Sequence, residues 1–367
     1  MNRREFLTSV IALAMLPAKT LASSGTSSDE ILKKTMPLAV AASKAGLLYG
    51  SPLFPNELNN SKYLKLFKNQ VSILTNTVYM SATQPTESTW NLDGFERVRK
   101  FAIEQKLNMR GHPLVWHNAL PGWVNSVNDP KDLKEVIHSR IKKLVGLYKG
   151  EFQSWDVVNE AIDATVKSDD HLTPCVWAKV LGVEYLDYAF HIAHQTDPKP
   201  LYTYNDYGTE DDSEGSLAKR EAIFSLVQGM LKRKVPIKAV GLQSHLYGGA
   251  SYKTLPDWIS RLKSLGLHVF ITELDVTDIP FPADKHERDK LVAQTYSDFL
   301  TSALSTGSID IVLNWGLANP YSWLQTFPFA RRKDGLPSRP LPFGNHLEPM
   351  PAYYAIESAF LSAPRHK

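Results

Sequence analysis

The chain has 367 residues, 43% of them hydrophobic and 22% charged, a globular composition that excludes a disordered chain, a collagen and a coiled coil. Its 41 basic and 38 acidic residues leave a net charge of +3, too balanced for a partner held by bulk charge, so no nucleic acid is expected. A single Cys, Cys175, excludes an internal disulfide and any Cys-x-x-Cys metal motif.

The chain opens Met-Asn-Arg-Arg-Glu-Phe-Leu-Thr, followed by an apolar stretch over 10–16 and the small-residue segment Thr-Leu-Ala-Ser-Ser at 20–24. The apolar stretch falls short of the roughly 20 residues that cross a bilayer. The pattern fits a signal peptide, and Arg3-Arg4 with Phe6-Leu7 resembles the bacterial twin-arginine type. Residues 1–23 are therefore read as a twin-arginine-type signal, cut near Ala22 or Ser23, and 24–45 as a polar lead. A periplasmic or secreted location follows. So does the twin-arginine export machinery as a partner, with no membrane anchor after processing and a monomeric mature protein. Export in a folded state suits a chain with no disulfide to form.

Strand-length apolar runs then recur at 46–53, 71–79, 107–116, 152–160, 201–207, 237–246, 268–276 and 309–317. Amphipathic stretches lie between them, most clearly 95–105, 133–148, 185–195, 214–232 and 289–304. Alternation of strand and helix predicts a parallel sheet, and eight such units predict an α/β fold, a single (β/α)8 TIM barrel over 46–362. The rival, an open doubly wound sheet, would carry a glycine-rich phosphate turn, and the sequence has no G-x-G-x-x-G or P-loop. The Pro-rich stretch 327–351 reads as a long loop after strand eight, on the face where barrels place their active sites.

The ends of these runs are polar where a buried strand should avoid charge. They read Arg110-Gly-His112-Pro-Leu-Val-Trp116-His117, Trp155-Asp156-Val-Val-Asn159-Glu160, Tyr204-Asn205-Asp206-Tyr207, Gly241-Leu-Gln243-Ser-His245, Thr272-Glu273-Leu-Asp275 and Asn314-Trp315. A lone polar residue at a strand end is usually structural; six such ends on one face of a barrel point to a site. Glu160 and Glu273 close strands four and seven and so face each other across the mouth. Paired carboxylates fit glycoside hydrolysis, one protonating the leaving oxygen and the other attacking the anomeric carbon. Trp116, Trp315 and Trp323 offer flat faces for sugar stacking. His112, His117 and His245 raise metal chemistry as a competitor, but no His-Glu-x-x-His spacing occurs, and neither metal nor cofactor is expected.

These motifs, together with Trp315-Gly and Ser322-Trp323, make the chain resemble glycoside hydrolase family 10, the endo-β-1,4-xylanases, over 46 to about 360. The resemblance implies a polysaccharide substrate and a retaining double displacement, with Glu160 as acid/base and Glu273 as nucleophile, about 5–5.5 Å apart. It implies that Asn159 bonds the sugar 2-hydroxyl, and that His245, backed by Asp275, orients Glu273. His112, Trp116, Gln243 and Trp315 would line the same subsite, with Trp323 covering it.

The chain departs from that family at the end of strand two. The family pattern Glu-Asn-x-Met-Lys-Trp is here Thr77-Val78-Tyr79-Met80-Ser81-Ala82; after strand three Ala119 stands for a Gln, and after strand eight Asn319 stands for an Asp. Thr77, Val78, Ser81, Ala82 and Ala119 thus form an altered subsite on the non-reducing side of the cleavage point. Plain xylan is the family default; a bacterial exopolysaccharide or substituted glycan is the alternative. A non-catalytic carbohydrate-binding barrel is a second class. A redox or cofactor enzyme is a third, suggested only by the export label.

Overall fold

The computed structural model describes residues 36–366; the expected signal peptide and most of the polar lead lie outside them. The strands are β1 (Leu48–Pro52), β2 (Ile73–Thr77), β3 (Asn108–His112), β4 (Val115–Trp116) and β5 (Ser154–Asn159). They continue with β6 (Leu201–Asp206), β7 (Ala239–Leu242), β8 (His245–Tyr247), β9 (His268–Thr277) and β10 (Ile309–Asn314). Every pairing between them is parallel, and β10 pairs with both β9 and β1, which closes the sheet. The ring runs β1-β2-β3-β5-β6-β7-β9-β10, a (β/α)8 barrel.

β4 and β8 are outlying pieces of the third and sixth runs, pairing with β5 and β9. The sequence reading took each run as one strand; the structure breaks them for local reasons. Pro113 follows His112 and has no N–H to give a ladder. Ser244, between β7 and β8, sits at φ 65°, a left-handed conformation no strand contains. Both breaks turn the chain at the mouth, and the residues around them line the site.

Helices fill the crossovers. In Pro130–Leu147, the Asp129 carboxylate caps the N–H groups of Lys131 and Asp132, and Pro130 occupies the first turn, where its missing N–H costs nothing. Leu133, Ile137, Arg140, Ile141 and Leu144 recur at helical spacing and are buried against the sheet. The helices Ser61–Gln70 and Leu255–Ser264 complete units that the sequence reading left unassigned. Their ten-residue length gives the 3.6-residue period few turns in which to show itself.

The core has two parts. Ile73, Ala239, Phe270, Ile311 and Leu313, from strands alone, form a compact cluster that fills the barrel. A larger cluster joins the outer strand faces to the helices. Above the inner plug the inward positions turn polar: Arg110, Asp156, Asn205 and Thr272 are all fully buried. The site stands on this polar layer.

Candidate active site

Glu160 directly follows β5, at φ 58°. Its N–H donates to the Asn205 carbonyl at 2.9 Å, so the turn is fixed by the neighbouring strand. Three donors hold the carboxylate: Trp116 Nε1 at 2.8 Å on Oε2, with Gln243 Nε2 at 3.0 Å and Asn159 Nδ2 at 3.1 Å on Oε1. Glu273 lies within β9 and is 4% exposed, like Glu160. Asn205 Nδ2 donates to Glu273 Oε1 at 2.8 Å and to Asn159 Oδ1 at 2.9 Å. Two amides therefore bridge the carboxylates in the sequence Glu160–Asn159–Asn205–Glu273. Thr272 Oγ1 donates to Asn205 Oδ1 at 2.7 Å and fixes the orientation of that amide. Gly241 leaves room for it, since a Cβ there would lie 2.1 Å from Asn205 Oδ1.

Two histidines flank Glu273. His245 Nε2 is 3.3 Å from Glu273 Oε2, and its Nδ1 is 2.8 Å from Asp275 Oδ1. Trp323 Nε1 donates to the other Asp275 oxygen at 2.6 Å, which ties the strand-eight loop to β9. His112 Nδ1 is 2.7 Å from Asp156 Oδ2 and 3.9 Å from Glu273 Oε1, and Arg110 pairs with Asp156 from below. Behind Glu160, Lys219 Nζ is 2.6 Å from Asp206 Oδ1 and lies over the Tyr207 ring.

These surroundings push the carboxylates apart. Burial raises Glu160 to about 7 against the relief of its Gln243 and Trp116 hydrogen bonds, with the charges of Asp206 and Glu273 adding to the rise. Burial acts upward on Glu273 as well, but His112, the His245 hydrogen bond and Asn205 outweigh it and leave Glu273 below the usual carboxylate range. For His245, burial favours the neutral ring, yet Asp275 and Glu273 overcome it and raise the imidazole. His117, whose Nε2 is 4.0 Å from Glu160 Oε2, is held down to about 4 by burial and by Lys219. Near neutral pH one carboxyl thus keeps its proton while the other is charged, the division of labour that acid and nucleophile require.

The structure gathers Asn159, Glu160, Glu273, His245, Asp275, His112, Trp116 and Gln243 into one network at the barrel mouth. Trp315 stands edge-on to both His112 and His245, with ring centroids 5.4 and 6.5 Å away, and Trp323 is 5.2 Å from His245. The altered positions divide. Thr77 and Ser81 are half-buried and Ala82 is exposed. Ser81 N–H donates to the Ala119 carbonyl at 2.8 Å, and Ala119 is buried at φ 52°. Val78 instead points into the main core, fully buried. Asn319 is buried as well, its side chain accepting from Leu341 N–H at 3.0 Å.

Sequence reasoning passed over two residues. Asn205 was visible only as part of a motif; a polar residue on an inward strand position beside Glu160 was the available signal. Tyr79 reads as the aromatic end of an apolar run, and nothing in the pattern says that it faces the mouth. Among the described residues no group of three or more His, Cys, Asp or Glu side chains is arranged to hold a metal ion.

The chain matches the family model of glycosyl hydrolase family 10 over residues 37–359. It is 32% identical to a β-1,4-xylanase of Dictyoglomus thermophilum over 82% of this chain and 85% of that one. Native xylanase 10B of Thermotoga maritima superposes with a TM-score of 0.79 at 30% identity, covering 88% of this chain and 98% of that one. Xylanase 10B of Thermotoga petrophila, solved in complex with xylobiose, gives 0.78 at 28% identity, covering 89% and 98%. With a closed barrel, two facing carboxylates and a match along nearly the whole described chain, this protein belongs to glycosyl hydrolase family 10, the endo-β-1,4-xylanase family, and is a glycoside hydrolase.

Proposed function

We propose that the protein is a retaining endo-β-1,4-glycanase that cleaves xylan-type polysaccharide, with Glu273 as nucleophile and Glu160 as acid/base. The observation that carries this reading is the opposite tuning of two carboxylates joined by one amide bridge. Glu273 attacks the anomeric carbon as the glycosidic bond breaks, and Glu160 delivers its proton to the departing oxygen. In the glycosyl-enzyme the Glu273 charge is consumed. One of the charges that held Glu160 up is then gone, so its pKa falls as it becomes the base that takes a proton from water. Asn159 gives Glu160 one amide hydrogen and keeps the other for a sugar hydroxyl beside Glu273. His245, fixed through Asp275 and Trp323, holds the nucleophile in place.

The experiment is hydrolysis of xylan and of β-linked bacterial polysaccharides, read as new reducing ends, with NMR of the first anomer released. Xylan cleavage with retention is expected; inversion, or no cleavage of any β-glycan, overturns the reading. A substituted glycan or bacterial exopolysaccharide is a second reading, favoured by the small side chains of Thr77, Ser81 and Ala82 at the mouth. Strong turnover of plain xylan would remove it. Export through the twin-arginine route belongs to the same proposal. Replacing Arg3 and Arg4 together with Lys should leave the full chain in the cytoplasmic fraction, and unchanged export would count against it.

A further inference from the structure

The segment after β2 holds one side chain in an unusual setting. Its backbone is fixed from several sides. Val78 N–H donates to the His112 carbonyl at 2.7 Å, and the Tyr79 carbonyl accepts from Thr83 Oγ1 at 2.9 Å. Arg140, buried beneath, bonds the Val78 carbonyl and Thr83 Oγ1. Val78 points into the core, so its neighbour Tyr79 is presented to the mouth. The Tyr79 ring lies 5.7 Å from Trp116, tilted 39°, and 6.0 Å from His112, edge-on at 85°. Trp116 is the donor to Glu160, and the His112 ring lies beside Glu273, its Nδ1 3.9 Å from Glu273 Oε1. Tyr79 therefore touches one neighbour of each carboxylate.

Burial and the charges of Glu273 and Glu160 keep the phenol protonated. Tyr79 is half-buried, and its hydroxyl makes no hydrogen bond to another of the described residues, which leaves it open to solvent or to a ligand. A rigidly mounted ring with an unused donor, between the neighbours of two catalytic carboxylates, is suited to a ligand rich in hydroxyls.

We propose that Tyr79 is a specificity-determining residue, its ring limiting the room beside the sugar held over Glu160 and Glu273 and its hydroxyl bonding a hydroxyl of that sugar. The inference rests on the hydrolase reading above. It favours a compact pentose over a hexose, whose hydroxymethyl group needs additional space.

The test compares the wild type, Tyr79→Phe and Tyr79→Ala on an aryl β-xylobioside and the matching aryl β-cellobioside, with kcat and KM measured for each. Tyr79→Phe keeps the ring and should lower kcat/KM on the xylobioside about 3- to 10-fold, the loss of one hydrogen bond. Tyr79→Ala removes the wall and should move the cellobioside-to-xylobioside ratio of kcat/KM upward about 10-fold or more. A purely structural role would lower both substrates together and leave the ratio unchanged, which overturns the inference. So does an unchanged kcat/KM in Tyr79→Phe. If Tyr79→Ala does not fold, Tyr79→Leu carries the ratio measurement. A wild type inert to both glycosides and to xylan overturns the hydrolase reading itself; an active wild type with an unmoved ratio overturns only the role of Tyr79.

Discussion

The two halves of the barrel mouth are built differently. On the β5, β6, β7 and β9 side, nearly every polar atom around the carboxylates is paired with another side chain, from Thr272 through Asn205 and Asn159 to Glu160 and Gln243. On the β2 side, the fixing bonds run mostly between backbone groups and Arg140, and the side chains at the rim are Thr77, Tyr79, Ser81 and Ala82. One half is cross-linked by side chains; the other is a backbone frame carrying small groups and one aromatic ring. On the proposed reading, the carboxylates are held by side-chain bonds that do not depend on the rim residues of the β2 side.

The largest expected effect tests the cross-linked half. Glu273→Ala should abolish turnover of every substrate, a loss of more than about 10⁴-fold. Glu160→Ala should lose about 10²–10⁴-fold on xylan, yet retain activity on aryl glycosides whose leaving group needs no proton. Equal losses on both substrate types would show that Glu160 is not the acid. Next is Asn205→Ala, which takes a donor from Glu273 and breaks the amide bridge. A fall in kcat of about 10²-fold is expected. The acid limb of the pH profile should also move upward, because the charged form of Glu273 loses a hydrogen bond.

The pH profile comes third. Activity on xylan should fall as pH rises through about 7, where Glu160 gives up its proton. Asp206→Asn removes a negative charge that helps hold Glu160 up, so this alkaline limb should shift to lower pH; a shift to higher pH would contradict the electrostatic account. The smallest effect on chemistry belongs to the frame. Arg140→Met strands the Leu114 and Val78 carbonyls and should cost about 2 kcal/mol or more in urea unfolding. The folded fraction should keep the pH limbs of the wild type. If those limbs move, the two halves are coupled and the comparison between them fails.

Much of this organisation is legible in the sequence because a strand has a period of two and a barrel has a single working face. Eight apolar runs announce the barrel, and the charged ends of β5 and β9 stand out because a buried strand otherwise excludes them. The breaks within the third and sixth runs are half-legible: Pro113 marks the first, but the left-handed turn at Ser244 has no glycine to announce it. Val78 and Tyr79 show where the pattern is silent. Both suit an apolar run equally well, and only the register Thr77↔His112, set by pairing with another strand, decides which of them faces the core. Asn205 is hidden for a related reason, since its importance lies in two partners 46 and 68 residues away along the chain.

Glu160 occupies a backbone position where glycine would sit with less strain. Its side chain also asks the barrel to keep a buried carboxyl. Exchanging it for Gly would relax the turn but strand the Trp116, Gln243 and Asn159 donors that its carboxylate now satisfies, so the relief and the loss oppose each other. The carboxylate at this turn is thus also a keystone of the mouth: the three side chains that converge on it would lose their common acceptor with it, so the fold, and not turnover alone, resists its replacement.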